Sequence, residues 1–215
     1  MVYKKEELSE YPICDTDIWI DIILAEIDNL LFEKYGKIVF ADVVEQEIMM
    51  FRNNPTFQCI ANKFMTYKEQ DRIIVICHDR IDCIDKMLLE KQLKECNSQF
   101  KTGLKDYPHE EHKGEIVSAI YAEYFVLPFL KSNDGAFRDG NMGKISFPNL
   151  IVKDRKTTIY DLVDNEKDRK ECLRKIKENR MFITEGQRIY EEEMNCEATQ
   201  DDVDKLLRKL RSKWC

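Results

Sequence analysis

Apolar residues along the chain fall into two alternating kinds of segment. Short runs of strand-forming residues alternate with longer segments in which apolar positions recur every three or four residues, which is the spacing of a helix. Such an alternation predicts an α/β fold with a mainly parallel sheet. The predicted strands lie at 11–15, 37–42, 72–77 and 126–134, with two shorter ones at 145–147 and 150–152.

The first helical segment begins near Asp17 and carries a single apolar stripe as far as Gly36, a residue type that often ends helices. The segment 113–124 is apolar around most of its circumference, as expected for a centrally packed helix. Residues 1–10 and 97–112 are polar, and we expect them to be irregular. Further helices are predicted at 43–51, 57–67 and 82–96.

The sequence changes character at residue 154, beyond which charged helical segments predominate. We therefore expect an α/β domain at 1–153 and a helical C-terminal extension at 154–215. The last segment has the pattern of an amphipathic helix with a basic outer face, which either docks on its own domain or binds a partner. Its apolar stripe consists of Val203, Leu206, Leu207, Leu210 and Trp214.

Composition narrows the functional classes. The formal net charge of −7 argues against a surface made for generic nucleic-acid binding, although a local basic rim remains compatible with it. The sequence has neither a secretory signal pattern nor an apolar run long enough for a membrane span, so we expect a cytoplasmic protein with reduced thiols. Cys77, His78 and Cys83 lack the paired spacing of a zinc site, which predicts a buried thiol and an exposed imidazole.

Four acidic residues occupy corresponding positions in the predicted elements. Asp15 and Asp134 each follow a strand, Glu47 lies on the helix after the second strand, and Glu115 opens the central helix. Because the carboxyl ends of parallel strands share one edge of the sheet, these side chains are expected to converge. Convergent carboxylates repel one another unless a cation lies between them, and oxygen ligands suit Mg²⁺ or Mn²⁺.

Each of these acids also has a purely structural interpretation. Asp15 and Asp17 could cap the first helix, and Glu115 could simply favour the positive end of its helix dipole. Glu47 could be a solvated helical residue, and Asp134 a turn residue before Gly135. Their joint occurrence at equivalent positions is what favours a functional site.

Four segments together resemble the PIN-domain nucleases. They are Ile13–Asp17, Val43–Ile48, Gly114–Glu115 with the small and apolar residues that follow, and Ser132–Asp134. The resemblance extends from about residue 11 to residue 150 and implies a three-layer α/β/α sandwich. Many members of this family are Mg²⁺- or Mn²⁺-dependent ribonucleases, and they include the VapC-type toxins of bacterial toxin–antitoxin pairs.

The resemblance also implies roles for individual residues. Asp15, Glu47, Glu115 and Asp134 correspond to the catalytic acids, and Asp15, Glu115 and Asp134 would hold the metal. The auxiliary positions are Thr16, Asp17, Ser132, Asn133 and Asp139.

The partners that the resemblance implies are an RNA substrate, with single-stranded DNA as the alternative, and an antitoxin or other protein bound through the C-terminal helices. A homodimer is a further expectation, whereas a membrane is not expected.

Two departures from the family pattern keep other functions open. Asp17 stands where Asn or Ser is common, and Asn133 occupies a place that is often acidic. The Asp15-Thr16-Asp17 segment also has the Asp-x-Asp form of haloacid-dehalogenase-like phosphatases, in which Asp15 would be the nucleophile. A third interpretation is a catalytically silent PIN-like module that binds a partner.

Overall fold

The computed structural model describes residues 3, 5–100, 114–138 and 141–195, except for the side chains of 97–100, 136, 142 and 184–195. The chain divides into two compact units, Met1–Ile176 and Lys177–Cys215. The first unit therefore includes residues 154–176, which the sequence analysis assigned to the C-terminal extension. The amphipathic helix expected near the C-terminus lies outside the described residues.

The centre of the first unit is a five-stranded sheet in which every pair of neighbouring strands is parallel. Its spatial order is β3-β2-β1-β4-β5. Helices flank the sheet, so the predicted three-layer α/β/α fold is confirmed. The strands are β1 (Ile13–Cys14), β2 (Ile38–Ala41), β3 (Ile73–Ile76), β4 (Leu130–Lys131) and β5 (Val152–Lys153).

The helices connect these strands and cover the sheet. The described helices are α1 (Lys5–Leu8), α2 (Thr16–Ala25), α3 (Asp28–Tyr35), α4 (Asp42–Met50), α5 (Gln58–Glu69), α6 (Cys83–Phe100), α7 (Gly114–Tyr124), α8 (Met142–Ser146), α9 (Arg155–Leu162) and α10 (Glu166–Asn195). Helix α7 packs on β1, β2 and β4, as predicted for the central helix, and α9 packs on β5 beside α3. None of the helices among the described residues is long and apolar enough to cross a membrane.

The single helix predicted from Asp17 to Gly36 is wrong, because the chain breaks after Ala25. Glu26 adopts a left-handed conformation with φ of 61°, and its N–H bonds to the carbonyls of Ile22 and Ile23, which ends α2. The side chain of Asp28, at the start of α3, is buried and accepts hydrogen bonds from Lys63 (2.6 Å) and Tyr67 (2.7 Å). The apolar stripe continues across this break because both helices pack against the same core.

Three further local predictions fail. The strand predicted at 145–147 is wrong, since residues up to Ser146 form α8, in which Ile145 is exposed. The N-terminal segment, expected to be irregular, contains α1. Residues 97–100 continue α6 rather than starting a loop, and residues 101–113 lie outside the described part of the chain.

The hydrophobic core is centred on Trp19 of α2. Its ring makes edge contacts with Phe40 of β2 (5.6 Å between centroids) and Phe64 of α5 (5.7 Å). Its indole N–H donates to the carbonyl oxygen of Ile60 at 3.1 Å, so the one polar atom of this buried ring is satisfied. This packing fixes α2, and with it the carboxyl end of β1, against the sheet.

The strand order reverses at one defined place. From β1 the chain continues to β2 and β3 on one side, whereas β4 and β5 lie on the other side of β1. Such a reversal leaves a crevice outside the carboxyl ends of the two central strands, where α/β proteins commonly bind ligands. In this protein the reversal lies at the carboxyl ends of β1 and β4, next to Asp15 and Ser132, and this position is called the crevice below.

Candidate active site at the ends of β1 and β4

Asp15 lies directly after β1 and is only 4% exposed. Its backbone N–H donates to the carbonyl oxygen of Lys131 in β4 at 3.0 Å, which joins the two strands at their ends. Its Oδ1 accepts the N–H of Ile18 at 3.0 Å, so Asp15 is the N-cap of α2. The structural interpretation of Asp15 as a helix cap is therefore correct, and the surroundings of its carboxylate decide whether it has a further role.

Ser132 links the Asp15 carboxylate to the end of β4. The buried hydroxyl of Ser132 donates to that carboxylate, and its oxygen accepts the backbone N–H of Asp134 at 3.2 Å. Ser132, predicted only as an auxiliary residue, thus connects the Asp15 carboxylate to the backbone of Asp134.

Like charges surround the Asp15 carboxyl group. Its pKa is raised to about 8, mainly by burial and also by the negative charges of Asp17 and Glu115, against the lowering effect of the hydrogen bonds from Ser132 and Ile18. The structure therefore brings Asp15, Asp17 and Glu115 close enough to interact electrostatically. A buried carboxylate with acidic neighbours is typical of a site that takes a proton or a cation.

Glu47 of α4 is held by the first residues of two other helices. The hydroxyl of Thr16, at the start of α2, donates to Glu47 Oε2, and the N–H of Gly114, at the start of α7, donates to Oε1 at 3.3 Å. Both donors lie at helix N-termini, where a negative charge is favoured. These contacts place Glu47 beside Thr16 and the first residue of the central helix.

Gly114 has no room for a side chain. An added Cβ would lie 2.7 Å from Cγ2 of Val44 and 3.2 Å from each carboxylate oxygen of Glu47. Glycine at this position therefore permits the close approach of α7 to α4, which in turn places Glu115 one residue further on. The sequence analysis noted Gly114 only as part of a motif and did not predict this contact.

The remaining predicted residues are less closely assembled. Asn133 and Asp134 are half-buried after β4, and Asp139 lies outside the described residues. Within the described ranges, no group of three or more His, Cys, Asp or Glu side chains has a geometry that could hold a metal ion. The metal set of Asp15, Glu115 and Asp134 thus stays a prediction.

The chemistry of the crevice nevertheless fits a hard divalent cation. Its acidic side chains offer carboxylate oxygens, the ligand type of Mg²⁺ and Mn²⁺, and Ser132 adds a hydroxyl beside Asp15. A bound cation would also relieve the repulsion that Asp17 and Glu115 exert on the ionised form of Asp15. The oxygen atoms and the negative charges of the crevice therefore both suit a divalent cation.

His78 differs from its predicted state, because its imidazole is buried (4% exposed) rather than at the surface. Its Nδ1 lies 3.0 Å from the hydroxyl of Tyr121 on α7, and its Nε2 lies 2.5 Å from Oε1 of Glu90 on α6. Its backbone N–H donates to the carboxylate of Asp42 at 2.7 Å. This polar cluster connects the end of β3 to α6 and α7, and its role is to fix the central helix.

Lys131 is a second buried charge that the sequence analysis missed. This last residue of β4 is completely buried, and burial lowers its pKa to about 8. Its Nζ donates to the hydroxyl of Thr158 on α9 at 3.3 Å and lies 4.9 Å from the ring centre of Tyr35 on α3. In the sequence, a lysine at the end of a short strand looks like a solvent-exposed residue. Only the structure shows that Lys131 is buried.

Comparison with known proteins adds no relative. No known protein family matches the chain, and no curated protein sequence resembles it closely enough to count as a relative. The fold and the crevice at the ends of β1 and β4 are therefore the features from which a function can be inferred.

Proposed function

We propose that the protein is a metal-dependent nuclease that hydrolyses phosphodiester bonds in single-stranded RNA at the crevice between β1 and β4. The observation that carries this proposal is the buried carboxyl group of Asp15, which lies at the point where the strand order reverses and has acidic neighbours. The similarity of four segments to PIN-domain nucleases is a second support, and one of those segments contains Asp15.

The residues of the crevice would have distinct roles. Asp15 and Glu115, together with Asp134, would hold Mg²⁺ or Mn²⁺. When bound, such an ion polarises a phosphoryl oxygen and lowers the pKa of a coordinated water. Ser132 orients the Asp15 carboxylate by donating a hydrogen bond to it.

Glu47 has a different position from the other acids, because the hydroxyl of Thr16 and the N–H of Gly114 bind its two carboxylate oxygens. These contacts hold its side chain between the N-termini of α2 and α7. Glu47 therefore positions the start of α7, where Glu115 lies, and its charge adds to the negative potential of the crevice.

The test is cleavage of end-labelled single-stranded RNA and DNA with Mn²⁺ present or removed by EDTA. We expect cleavage only with the metal and a loss of at least about a hundredfold in kcat/KM for Asp15→Asn, because the substitution removes a proposed metal-binding charge. Lys131→Met is the matched control, since it removes a neighbouring buried charge that does not face the crevice, and it should keep the activity.

Three outcomes would contradict the proposal. Wild-type protein that cleaves neither substrate, or an Asp15→Asn variant that cleaves as well as wild type, excludes this site. Hydrolysis of a small phosphomonoester with a phosphate trapped on Asp15 would instead identify a phosphatase. If no metal binds while a protein partner co-purifies, the protein is a binding module.

A further inference from the structure

The crevice is rich in carboxylates, yet its proposed substrate is a polyanion. Even with one divalent cation bound, a phosphodiester chain next to Asp15, Asp17 and Glu115 would meet negative charge. Binding of such a chain requires basic groups near the crevice that are not already neutralised by acidic partners. The basic residues around the carboxyl ends of the strands are therefore the relevant ones.

Arg138 lies in the turn that follows the last acid of the proposed site. The residues Gly135–Phe137 form one turn of 3₁₀-helix directly after Asp134, and the N–H of Arg138 closes it by donating to the Gly135 carbonyl at 3.2 Å. Phe137 is buried and contacts Phe147, with 6.4 Å between the ring centres. The buried ring anchors the turn, so the backbone of Arg138 keeps a fixed place relative to Asp134.

The charge of Arg138 acts at the carboxyl edge of the sheet. Asp154 directly follows β5, and burial raises the pKa of its carboxyl group. The hydrogen bonds from Thr157 and the charges of Lys156 and Arg138 lower this pKa by more, so its net shift is downward. Arg138 therefore lies near the ends of β4 and β5, on the side of the crevice away from β2. It is exposed, and it forms no ion pair with any described residue.

We propose that Arg138 binds a phosphate group of the single-stranded nucleic-acid substrate beside the carboxylate crevice. This inference rests on the proposed nuclease function. A guanidinium group suits the task because its N–H groups bind two phosphate oxygens at once and its charge does not titrate in proteins. The contact lies outside the carboxylate cluster, so it strengthens substrate binding rather than the chemical step.

Arg52 provides the matched control for this inference. It is also exposed and forms no ion pair within the described part of the chain. Helix α4 begins at the carboxyl end of β2 and runs back along the sheet for nine residues, a length of about 13 Å, before the turn that contains Arg52. Arg52 thus carries the same charge as Arg138 but lies towards the amino ends of the strands, away from the crevice.

The experiment measures cleavage kinetics with Mn²⁺ and equilibrium binding of labelled single-stranded RNA in EDTA over a range of NaCl concentrations. For Arg138→Gln we expect KM and Kd to rise about tenfold with kcat unchanged, because a contact made equally in the ground and transition states is lost. The slope of log Kd against log salt should fall by about 0.7. Arg138→Lys should lie between wild type and Arg138→Gln, whereas Arg52→Gln should match wild type.

Failure of this inference can be told apart from failure of the proposed function. If wild type cleaves RNA but Arg138→Gln keeps the wild-type KM and salt slope, or if Arg52→Gln weakens binding equally, Arg138 does not bind the substrate. If Arg138→Gln lowers kcat with KM unchanged, its role is not substrate binding. If wild type neither binds nor cleaves RNA or single-stranded DNA, the nuclease proposal itself fails and Arg138 has no such substrate.

Discussion

Asp15 and Lys131 are neighbouring buried charges in opposite surroundings. They are joined by a hydrogen bond between the N–H of Asp15 and the carbonyl of Lys131, and burial shifts the pKa of each side chain to about 8. Lys131 is enclosed by Thr158 and the rings of Tyr35 and Phe129. The charge of Asp161 favours its ionised form, whereas the charges of Lys153 and Lys34 disfavour it.

Asp15, by contrast, has Asp17 and Glu115 as charged neighbours, and both disfavour its ionised form. The lysine therefore has neighbouring charges of both signs, whereas the charged neighbours of the aspartate are acidic and only the hydrogen bonds from Ser132 and Ile18 favour its ionised form. Burial alone therefore does not mark a functional charge. What separates the two residues is the sign of the neighbouring charges, and the acidic surroundings of Asp15 are what the proposed cation site requires.

The largest expected effect on stability is that of Asp15→Asn. The folded state prefers protonated Asp15, so the stability that this group contributes is complete below its unfolded pKa and is lost as the pH rises from about 4 to about 8. Asn cannot ionise, and at pH 9 without metal the variant should therefore exceed wild type in free energy of unfolding by up to about 5 kcal/mol.

Urea denaturation at pH 5 and pH 9 checks this expectation. The advantage of Asp15→Asn should be small at pH 5 and greatest at pH 9. Asp17→Asn is the control, and because Asp17 is only half-buried its effect should stay within about 1 kcal/mol. If the free energy of unfolding of Asp15→Asn depends on pH in the same way as that of wild type, ionisation of Asp15 does not destabilise the folded protein.

Lys131→Met should stabilise the protein by a smaller amount. Because the folded pKa of Lys131 is depressed from 10.5 to about 8, the charged side chain is disfavoured in the folded state below pH 8, and this cost disappears as the pH rises towards 10.5. Methionine fills a similar volume without charge, so we expect a gain of up to about 3 kcal/mol at pH 7 and little gain above pH 10.

The measurement is again the free energy of unfolding, here at pH 7 and pH 10.5. Lys131→Ala should destabilise the protein because it leaves a cavity beside Tyr35 and Phe129. A loss of stability in Lys131→Met at pH 7 would show that the enclosed amine is a favourable interaction. The charge of Lys131 would then stabilise the folded protein while the charge of Asp15 destabilises it.

Gly114→Ala tests the packing of the crevice rather than its charge. The added methyl group would overlap Val44 and press on both Glu47 oxygens, so we expect a destabilisation of about 1–3 kcal/mol. Gly135→Ala is the matched control, because a methyl group added there would have no heavy atom within 4 Å and its effect should be near zero. Thermal denaturation of the two variants compares them, and equal melting temperatures would contradict the close approach of α4 and α7.

Ser132→Ala should have the smallest effect. The variant loses one hydrogen bond to a charged group, which typically costs about 1–2 kcal/mol, and the pKa of Asp15 should rise further because this donor lowers it in wild type. The midpoint of the pH-dependent stability loss should accordingly move to higher pH. An unchanged midpoint would mean that Ser132 does not stabilise the Asp15 carboxylate.

The sequence was sufficient for the fold class because the strands are compact apolar runs. Ile38–Ala41 and Ile73–Ile76 fall within the predicted runs, and their parallel pairing follows from the helices between them. The break at Glu26 could not be seen, since the apolar stripe continues through Ile27. Ile145 and Phe147 resembled a strand because a helix as short as α8 shows no full period.

The sequence was sufficient to predict which residues of the candidate site follow strands. It was not sufficient to predict the hydrogen bonds that these and other residues form. Asp15 and Ser132 follow apolar runs, and that position alone directed attention to them. The bonds from Glu47 to Thr16 and Gly114 join residues 31 and 67 positions apart, so they depend on how helices pack. The burial of Lys131 and His78 likewise depends on tertiary packing, which a single sequence does not display.

Titration of the protein with Mn²⁺ by calorimetry measures whether the acidic crevice binds a divalent cation. If the crevice between β1 and β4 is built for a cation, wild type and Lys131→Met should each bind Mn²⁺ at one site, and Asp15→Asn should bind it at least about tenfold more weakly because a charged oxygen ligand is lost. Equal affinity in wild type and Asp15→Asn, or no binding by wild type, would contradict the account.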